Sequence, residues 1–214
     1  MSTVDLPRTR SSSRLTRAER AALSDKKLIQ AALELIAESG IEKVTLRSIG
    51  ERAGYSRGLV NYRFGTKEAL LREATRRLVD YWAEDVPPDV ASTTTSLGAL
   101  QHFITHTRAS VERSLESRAY YSLVYAALGP MPELKEDLAR VHGEIKRRLA
   151  SWIRSGIGSG EIRAEASPES AAAWVYAAAR GIAFQWFIDP ASIDLEQTYA
   201  GLSHGVQKSL GASG

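Results

Sequence analysis

The sequence predicts an all-α protein of about nine helices, and three observations support this fold class. Apolar residues recur at intervals of three and four along most of the chain, which is the spacing of a helix with one buried face. Runs of alternating β-branched residues, which would indicate strands, are absent. Glycine, proline and hydroxyl-bearing residues separate the periodic segments, as is typical of helix ends. We therefore expect a small N-terminal helical domain followed by a larger helical domain.

The N-terminal domain is predicted to hold three helices after a basic, serine-rich tail over residues 1–16 that lacks an apolar face, and a fourth helix begins the larger domain. The first helix is expected from Arg17 to Ser39, because Gly40 can end it in the left-handed conformation. Three further helices each follow a threonine or serine that can cap exposed amides. Their predicted ranges are 46–53, 56–63 and 66–84, and we place the domain boundary between residues 66 and 67.

The larger domain, over residues 67–214, is predicted to hold five more helices after a loop over residues 86–96. Glycines at 156, 158 and 160 predict a flexible break after the third of these five helices. The fourth is apolar on nearly every side, so it is expected to be buried on every side. The predicted ranges are 97–116, 118–128, 132–155, 168–188 and 194–206.

Charge is distributed unevenly between the two parts. Residues 1–67 contain 13 basic and 7 acidic residues, whereas residues 68–214 contain 15 basic and 18 acidic ones, within a net charge of +3. A basic front on an acidic body favours contact with a polyanion such as DNA. The chain has no cysteine, which excludes disulfides and thiol-based metal sites. No stretch is apolar and long enough for a signal or a membrane span, so a cytoplasmic location is expected.

Residues 45–71 contain two short capped helices joined by a tight turn at Gly54. This arrangement is typical of a helix-turn-helix, in which the second helix enters the major groove of DNA. Apolar side chains are expected to hold the two helices at a fixed angle without contacting DNA. They are Ile49, Ala53, Leu59, Val60 and Phe64.

The remaining side chains of the second helix are predicted to be exposed and to read DNA. Arginine can pair with guanine through two hydrogen bonds and asparagine with adenine, and a glycine lets the backbone approach closely. Residues at the starts of the flanking helices are expected to bind phosphate groups. The predicted DNA-binding residues are Thr45, Arg47, Ser56, Arg57, Gly58, Asn61, Tyr62, Arg63 and Lys67.

Residues 20–75 resemble the DNA-binding domain of the TetR family of one-component transcription regulators. The family pattern has a capped helix of the type T-[LVM]-[RE]-x-I-A, then AGVS, then a short helix ending in YYHF, then [GS]-x-K-E-x-L. The matching residues are Thr45, Leu46, Arg47, Ile49, Ala53, Gly54, Ser56, Gly58, Tyr62, Phe64, Lys67, Glu68 and Leu70. The resemblance implies a sequence-specific regulator, usually a repressor.

The chain departs from this pattern at four positions. Gly50 replaces the usual alanine, which is expected to loosen its helix, and Tyr55 stands where valine is usual. Asn61 replaces an aromatic residue and Arg63 replaces the usual histidine. Because the last two belong to the predicted DNA-reading surface, the operator of a relative cannot be transferred to this chain.

The resemblance also implies that the second domain binds a small apolar or aromatic effector and forms a homodimer. Dimerisation would present two reading helices to a palindromic site in double-stranded DNA. Ordinary core packing is the alternative role for each aromatic residue of that domain. The predicted effector-binding residues are Phe103, His106, Tyr120, Tyr121, Tyr125, Trp152, Trp174 and Trp186.

Other classes of protein fit the sequence less well. His102 and His106 have zinc-compatible spacing, but no further ligand accompanies them, so neither a metal nor a cofactor is expected. No nucleophile and base pair is evident, which argues against an enzyme. A helical small-molecule-binding protein or enzyme with a vestigial DNA-binding head is the alternative. An architectural protein that binds DNA without sequence preference would not need so large a second core.

Overall fold

The computed structural model describes residues 16–85, 95–113 and 115–212, apart from the side chains of 79–85 and 113. Across these ranges it contains nine α-helices, which confirms the all-α class. The predicted tail before Thr16 and the predicted loop up to residue 94 lie outside the described residues. A 3-10 turn spans Ile41–Lys43. The helices are α1 (Arg17–Ser39), α2 (Leu46–Ala53), α3 (Arg57–Phe64), α4 (Lys67–Asp85), α5 (Ser96–Arg113), α6 (Leu115–Leu128), α7 (Leu134–Ser159), α8 (Pro168–Ile188) and α9 (Leu195–Leu210).

The first hydrophobic core joins the N-terminal helices to part of the second domain. Helices α1 to α4 bury their apolar stripes together, and α6 and the first turns of α7 complete this core. The core therefore crosses the predicted domain boundary at residue 66. The boundary itself stays a prediction. Its central side chains are Leu28, Ile36, Ile49, Val60, Leu70, Leu71, Leu123 and Leu134.

The second core lies among α5, α7, α8 and α9. A hydrogen bond of 2.7 Å from the Tyr199 hydroxyl to the carbonyl of Ala179 fixes α9 against α8. Tyr121, from α6, packs against both cores. Because α6 and α7 contribute to both cores, a displacement within the second core can reach the first.

The flexible break expected at Gly156 and Gly158 is wrong, because α7 continues through both residues to Ser159. A Cβ atom at Gly156 would lie 2.7 Å from the side chain of Ile162 and 2.8 Å from that of Ser96. Glycine thus allows close packing there, without interrupting the helix. The turn comes at Gly160, whose left-handed φ of 76° ends α7.

The apolar helix α8 is not buried on every side by its own chain. Ala179 and Ala183 are fully buried, whereas Phe184 is 47% exposed and Ile188 is 64% exposed. Complete burial of this helix would need a partner subunit as well, so that expectation stays a prediction. None of the helices in the described ranges is long and apolar enough to cross a membrane.

Candidate DNA-binding surface and inner cavity

Local caps and one left-handed glycine build the helix-turn-helix. The hydroxyl of Thr45 accepts from the amide of Ser48 at 3.0 Å, and the Ser48 hydroxyl accepts from the amide of Thr45 at 3.0 Å. Gly54 takes φ 77° and ψ 29°, which turns the chain between α2 and α3. The Ser56 hydroxyl then accepts from the amide of Leu59 at 3.2 Å and opens α3. The predicted caps of the motif are therefore confirmed.

Gly50 lies where α2 and the start of α3 come closest together. Its carbonyl accepts from the amide of Tyr55 at 2.7 Å. A Cβ atom at this position would lie 2.8 Å from the carbonyl oxygen of Tyr55 and 3.2 Å from the side chain of Val60. The missing side chain thus permits a tight junction between α2 and α3.

The outward side of α3 presents Arg57, Gly58, Asn61 and Tyr62, which we call the reading face. All four are exposed, and the Tyr62 side chain is 76% exposed. The opposite side of α3 is fixed by Val60, which is completely buried. The reading face is thus a polar surface on a helix that its own core holds in place. Such a surface can donate and accept hydrogen bonds along the base edges of a major groove.

Arg63 was predicted to be exposed on this face, and that expectation is wrong. Its guanidinium pairs with the carboxylate of Asp25 on α1, and its side chain is only 27% exposed. The hydrogen bond from Nε to Oδ1 measures 2.6 Å. Arg63 therefore fixes α3 against α1, which makes it a positioning residue for the reading face.

The two residues predicted to bind phosphate beside α3 lie in different environments. Thr45 is exposed at the N-terminus of α2, where the helix dipole favours an anion. Lys67 is half-buried, and its ammonium donates to the carbonyl of Ile41 at 2.7 Å. Burial lowers the pKa of Lys67. Arg47 is exposed and forms an ion pair of 2.8 Å with Glu51 one turn later.

A carboxylate on α7 joins this helix to α4, the helix that follows the reading helix. Asp137 is buried and accepts from Nε of Arg72 at 2.8 Å and from Nε of Arg76 at 3.1 Å. Arg140 donates to the same carboxylate at 3.0 Å. We call these four residues the Asp137 cluster. Burial alone would raise the pKa of Asp137, but the hydrogen bonds from Arg72 and Arg76 outweigh it and hold this pKa below its ordinary value.

Replacing Asp137 with alanine is expected to lower the free energy of unfolding by about 1–3 kcal/mol, because three guanidiniums lose their shared acceptor. The arginine side chains are 37–57% exposed and regain water, which keeps the loss moderate. Urea unfolding at neutral pH measures the change. The matched control is Glu136→Ala, since that side chain is 89% exposed, and a control loss equal to that of Asp137→Ala would contradict the role of the cluster.

An inner cavity of about 30 Å³ lies among α5, α7 and α8. It combines aromatic and aliphatic walls with several polar groups. The lining residues are Phe103, His106, Thr107, Ser110, Ile145, Arg148, Leu149, Trp152 and Arg180. Three predicted effector-binding residues therefore meet here: Phe103, His106 and Trp152. Arg148 is half-buried and also lines the cavity.

The other predicted effector-binding residues are not in this cavity. Tyr121, Tyr125 and Trp186 line an open groove of about 730 Å³ that reaches Ile41 at the edge of the N-terminal helices. Tyr120 is buried and lines neither space, and its ring packs against Tyr121 at 5.0 Å between centroids. Trp174 is 36% exposed on the outer side of α8. The eight aromatic candidates thus fall into separate environments.

Arg180 was missing from the predicted set, although it is central to the cavity. Its guanidinium carbon lies 4.8 Å from the centroid of the Tyr120 ring and 5.4 Å from that of Tyr176. The Nε atom is buried. The available signal was a single arginine within the otherwise apolar segment 171–188, since a buried charge in such a helix is seldom retained without a function.

His142 completes this aromatic cluster from α7. Its Nε2 atom lies 2.6 Å from the hydroxyl of Tyr120, and its ring is 5.5 Å from that of Tyr176. Burial, followed by the charges of Arg180 and Lys146, lowers the pKa of His142 from 6.5 to about 4. The imidazole is therefore neutral at pH 7.

Lowering the pH from 6.5 to 4 is expected to destabilise the fold by about 2 kcal/mol through His142, after allowance for its partial exposure to solvent. In this window the unfolded chain binds a proton that the folded chain excludes, so the free energy of unfolding falls with pH. Asp137 contributes only below its ordinary pKa of 3.8. Urea unfolding at pH 7 and pH 4.5 should give a smaller difference in His142→Gln than in the native sequence or in His102→Gln, an exposed control on α5. Equal differences in all three would contradict this assignment.

The histidines considered as metal ligands are not assembled into a site. His102 is exposed, His106 lines the inner cavity, and their ring centroids are 6.3 Å apart. Within the described ranges, no group of three or more histidine, cysteine, aspartate or glutamate side chains could hold a metal ion.

Two family models match the chain. The model of bacterial regulatory proteins of the tetR family matches residues 28–74. The model of the C-terminal part of BetI-type transcriptional repressors matches residues 100–211. The first match covers the helix-turn-helix, and the second covers α5 to α9 almost completely.

Curated relatives are transcriptional regulators. The regulator RutR of Escherichia coli K12 is 28% identical over 141 residues, which cover 61% of this chain and 62% of RutR. The chain thus matches less than two thirds of that relative. The regulator BetI of Burkholderia ambifaria is 45% identical over 67 residues, which cover 30% of this chain and 34% of BetI.

Solved structures share the whole architecture. A TetR regulator from Chloroflexus aurantiacus has a TM-score of 0.80 at 19% identity and covers 91% of this chain and 99% of its own. A transcriptional regulator from Saccharomonospora viridis, solved in complex with choline, has a TM-score of 0.79 at 16% identity and covers 90% of this chain and 100% of its own. At these identities the likeness establishes the fold alone.

Proposed function

The chain belongs to the TetR family of bacterial regulatory proteins, and on that premise we propose that it represses transcription from a palindromic operator until a small molecule enters the inner cavity. It is a DNA-binding transcription regulator, as its relatives are. Two features together carry the proposal. Helix α3 presents an exposed polar reading face, and α7, which lines the inner cavity, is also hydrogen-bonded to α4 through Asp137 and Arg72. The protein would act in the cytoplasm, where its DNA target lies.

The reading face supports sequence-specific binding. Arg57 and Asn61 are one helical turn apart and both exposed, so both side chains can reach neighbouring base edges. Tyr62 extends beside them and can donate to a phosphate. Gly58 has no side chain between the helix backbone and the groove; a Cβ there would have only the Ser56 hydroxyl, 3.7 Å away, within 4 Å.

A homodimer would place two reading faces on one side of the DNA. The exposed side of α8 carries Ala173, Ala177, Gly181, Phe184 and Ile188 at helical spacing. The adjacent exposed side of α9 carries small residues as well, namely Ala200, Gly201 and Gly205. We call this surface the α8–α9 face. Small residues allow close approach of partner helices, and four such helices from two chains would form a bundle that covers the face.

Effector binding would be coupled to DNA binding through α7. Residues 145–152 of α7 line the inner cavity, while Asp137 near its start bonds Arg72 and Arg76 of α4. A ligand that widens the small cavity must displace α5, α7 or α8, and a displaced α7 would shift α4 and alter the spacing of the two reading faces. Effector and operator must then weaken each other by the same factor.

Selection of binding sites from random duplex DNA, at two salt concentrations, tests the proposal. We expect a palindrome with half-sites about one helical turn apart, retained at the higher salt. Binding without an enriched sequence that fades as salt rises would contradict it and favour a vestigial or non-specific head. Effector titration onto the operator complex tests release, and an effector with equal affinity for free and operator-bound protein would contradict the repression mechanism.

A further inference from the structure

We propose that the effector of the inner cavity is an anion with an apolar or aromatic body, such as a small carboxylic acid, and that quaternary ammonium cations are excluded. This inference rests on the proposed function, because it concerns the ligand of that same cavity. The cavity lining contains two guanidiniums, an imidazole and two hydroxyl groups, but no carboxylate. The charges that face the space are therefore positive.

Arg180 is the strongest of these determinants. An arginine remains protonated at every physiological pH, so its charge cannot be removed to admit a cation. Its Nε atom is buried, and charges interact more strongly in buried surroundings than at the surface. Burial, followed by the charge of Arg180, lowers the pKa of His142.

The aromatic rings point to the same conclusion. Recognition of quaternary ammonium groups uses the open faces of tyrosine and tryptophan rings. Here the guanidinium of Arg180 already lies over Tyr120 at 4.8 Å and Tyr176 at 5.4 Å. In this chain an internal cation therefore already covers these two rings.

The other lining residues indicate which chemical groups the effector carries besides its charge. Phe103, Ile145, Leu149 and Trp152 provide apolar walls, and Thr107 and Ser110 provide hydroxyls that can donate to a carboxylate. A guanidinium binds a carboxylate through two parallel hydrogen bonds, so Arg148 and Arg180 can orient the charged end. Since the cavity measures about 30 Å³, a ligand larger than a water molecule must move side chains apart.

Three probes of one size test the charge preference: phenylacetate, phenylacetamide and benzyltrimethylammonium. Calorimetric titration of the full chain without DNA should give a Kd for phenylacetate about tenfold or more below that of the amide. The ammonium compound should show no saturable binding at millimolar concentrations. Binding of the cation as tightly as the anion, or of none of the three, would overturn the proposal.

Variants locate the binding to the cavity. Arg148→Gln should weaken the binding of phenylacetate by about tenfold. Arg147→Gln, which changes the exposed neighbouring residue, should leave this binding unchanged. Arg180→Gln should abolish the preference, and Arg180→Lys should retain part of it. If circular dichroism shows that Arg180→Gln does not fold, Arg148→Gln and Arg147→Gln still test the proposal. Equal effects of these two changes on the Kd for phenylacetate overturn it.

The same samples separate this inference from the proposed function. A chain that prefers phenylacetate but selects no DNA site contradicts the repressor proposal and supports the anionic effector. A chain that selects a palindrome and leaves it only with the ammonium compound supports the repressor proposal and overturns the anionic effector.

Discussion

Replacing Arg57 or Asn61 with alanine is expected to lower operator affinity by between about 30-fold and 10⁴-fold, because each dimer loses two base contacts of about 1–3 kcal/mol each. Both side chains are exposed on α3, and the burial of Val60 on the opposite side of the helix is unaffected by either change. The fold should therefore survive while recognition is lost. Fluorescence anisotropy with the selected operator and with a scrambled duplex measures both affinities.

The scrambled duplex identifies the kind of contact that each residue makes. Loss of a base contact lowers the ratio of operator to scrambled affinity, whereas loss of a phosphate contact weakens both equally and reduces the salt dependence by about one charge per subunit. Arg147→Ala is the matched control, because it removes one arginine from the exposed outer side of α7. An unchanged affinity ratio in both Arg57→Ala and Asn61→Ala would contradict the role of these two side chains in sequence reading.

The fold class and the helix-turn-helix could be predicted because their determinants are local. The caps at Thr45 and Ser56 and the left-handed turn at Gly54 each depend on residues within three or four positions. The apolar stripe of α1 is likewise a local periodicity, and its helix has the predicted bounds. Local preferences of this kind can be inferred directly from the amino-acid sequence.

The surroundings of single side chains could not be predicted, because they depend on pairs distant in sequence. Arg63 meets Asp25, which lies 38 positions earlier, and Lys67 meets the carbonyl of Ile41. The helical period shows that Arg63 lies off the apolar stripe, but it does not show which neighbouring helix packs beside it. Exposure was therefore assumed at a position where a tertiary ion pair forms.

The inner cavity depends on packing to a still greater degree. Helical periodicity identifies the aromatic faces of α5, α6 and α8, but the crossing of these helices decides which faces meet. Phe103 and Trp152 share the cavity, while Trp174, equally aromatic, is on the outer side of α8. Arg180 was a more specific indication of the cavity than the aromatic residues. A charged side chain in an otherwise apolar helix needs partners nearby, because burying an unpaired charge is costly.

Replacing Gly181 with glutamate is expected to separate the dimer and reduce operator affinity by about a hundredfold or more, because paired helices would bury opposed carboxylates. A Cβ atom at Gly181 meets no other atom within 4 Å in the single chain. The monomer therefore has room for the new side chain, and a helix-favouring residue replaces glycine. Analytical ultracentrifugation should report a mass near 23.4 kDa, with helix content by circular dichroism retained.

A glycine on a different surface makes this result specific to the α8–α9 face. Gly158 is also helical and exposed, with open space around its Cβ position, but it lies on the outer side of α7 beside Arg154. Gly158→Glu should leave the mass of the dimer and its operator affinity unchanged. If Gly181→Glu remains a dimer, the exposed apolar side of α8 is not the subunit interface, and the two reading faces must be held together by another surface. If both variants become monomers, added negative charge rather than local burial controls association, since only one of the two positions lies where partner helices would meet.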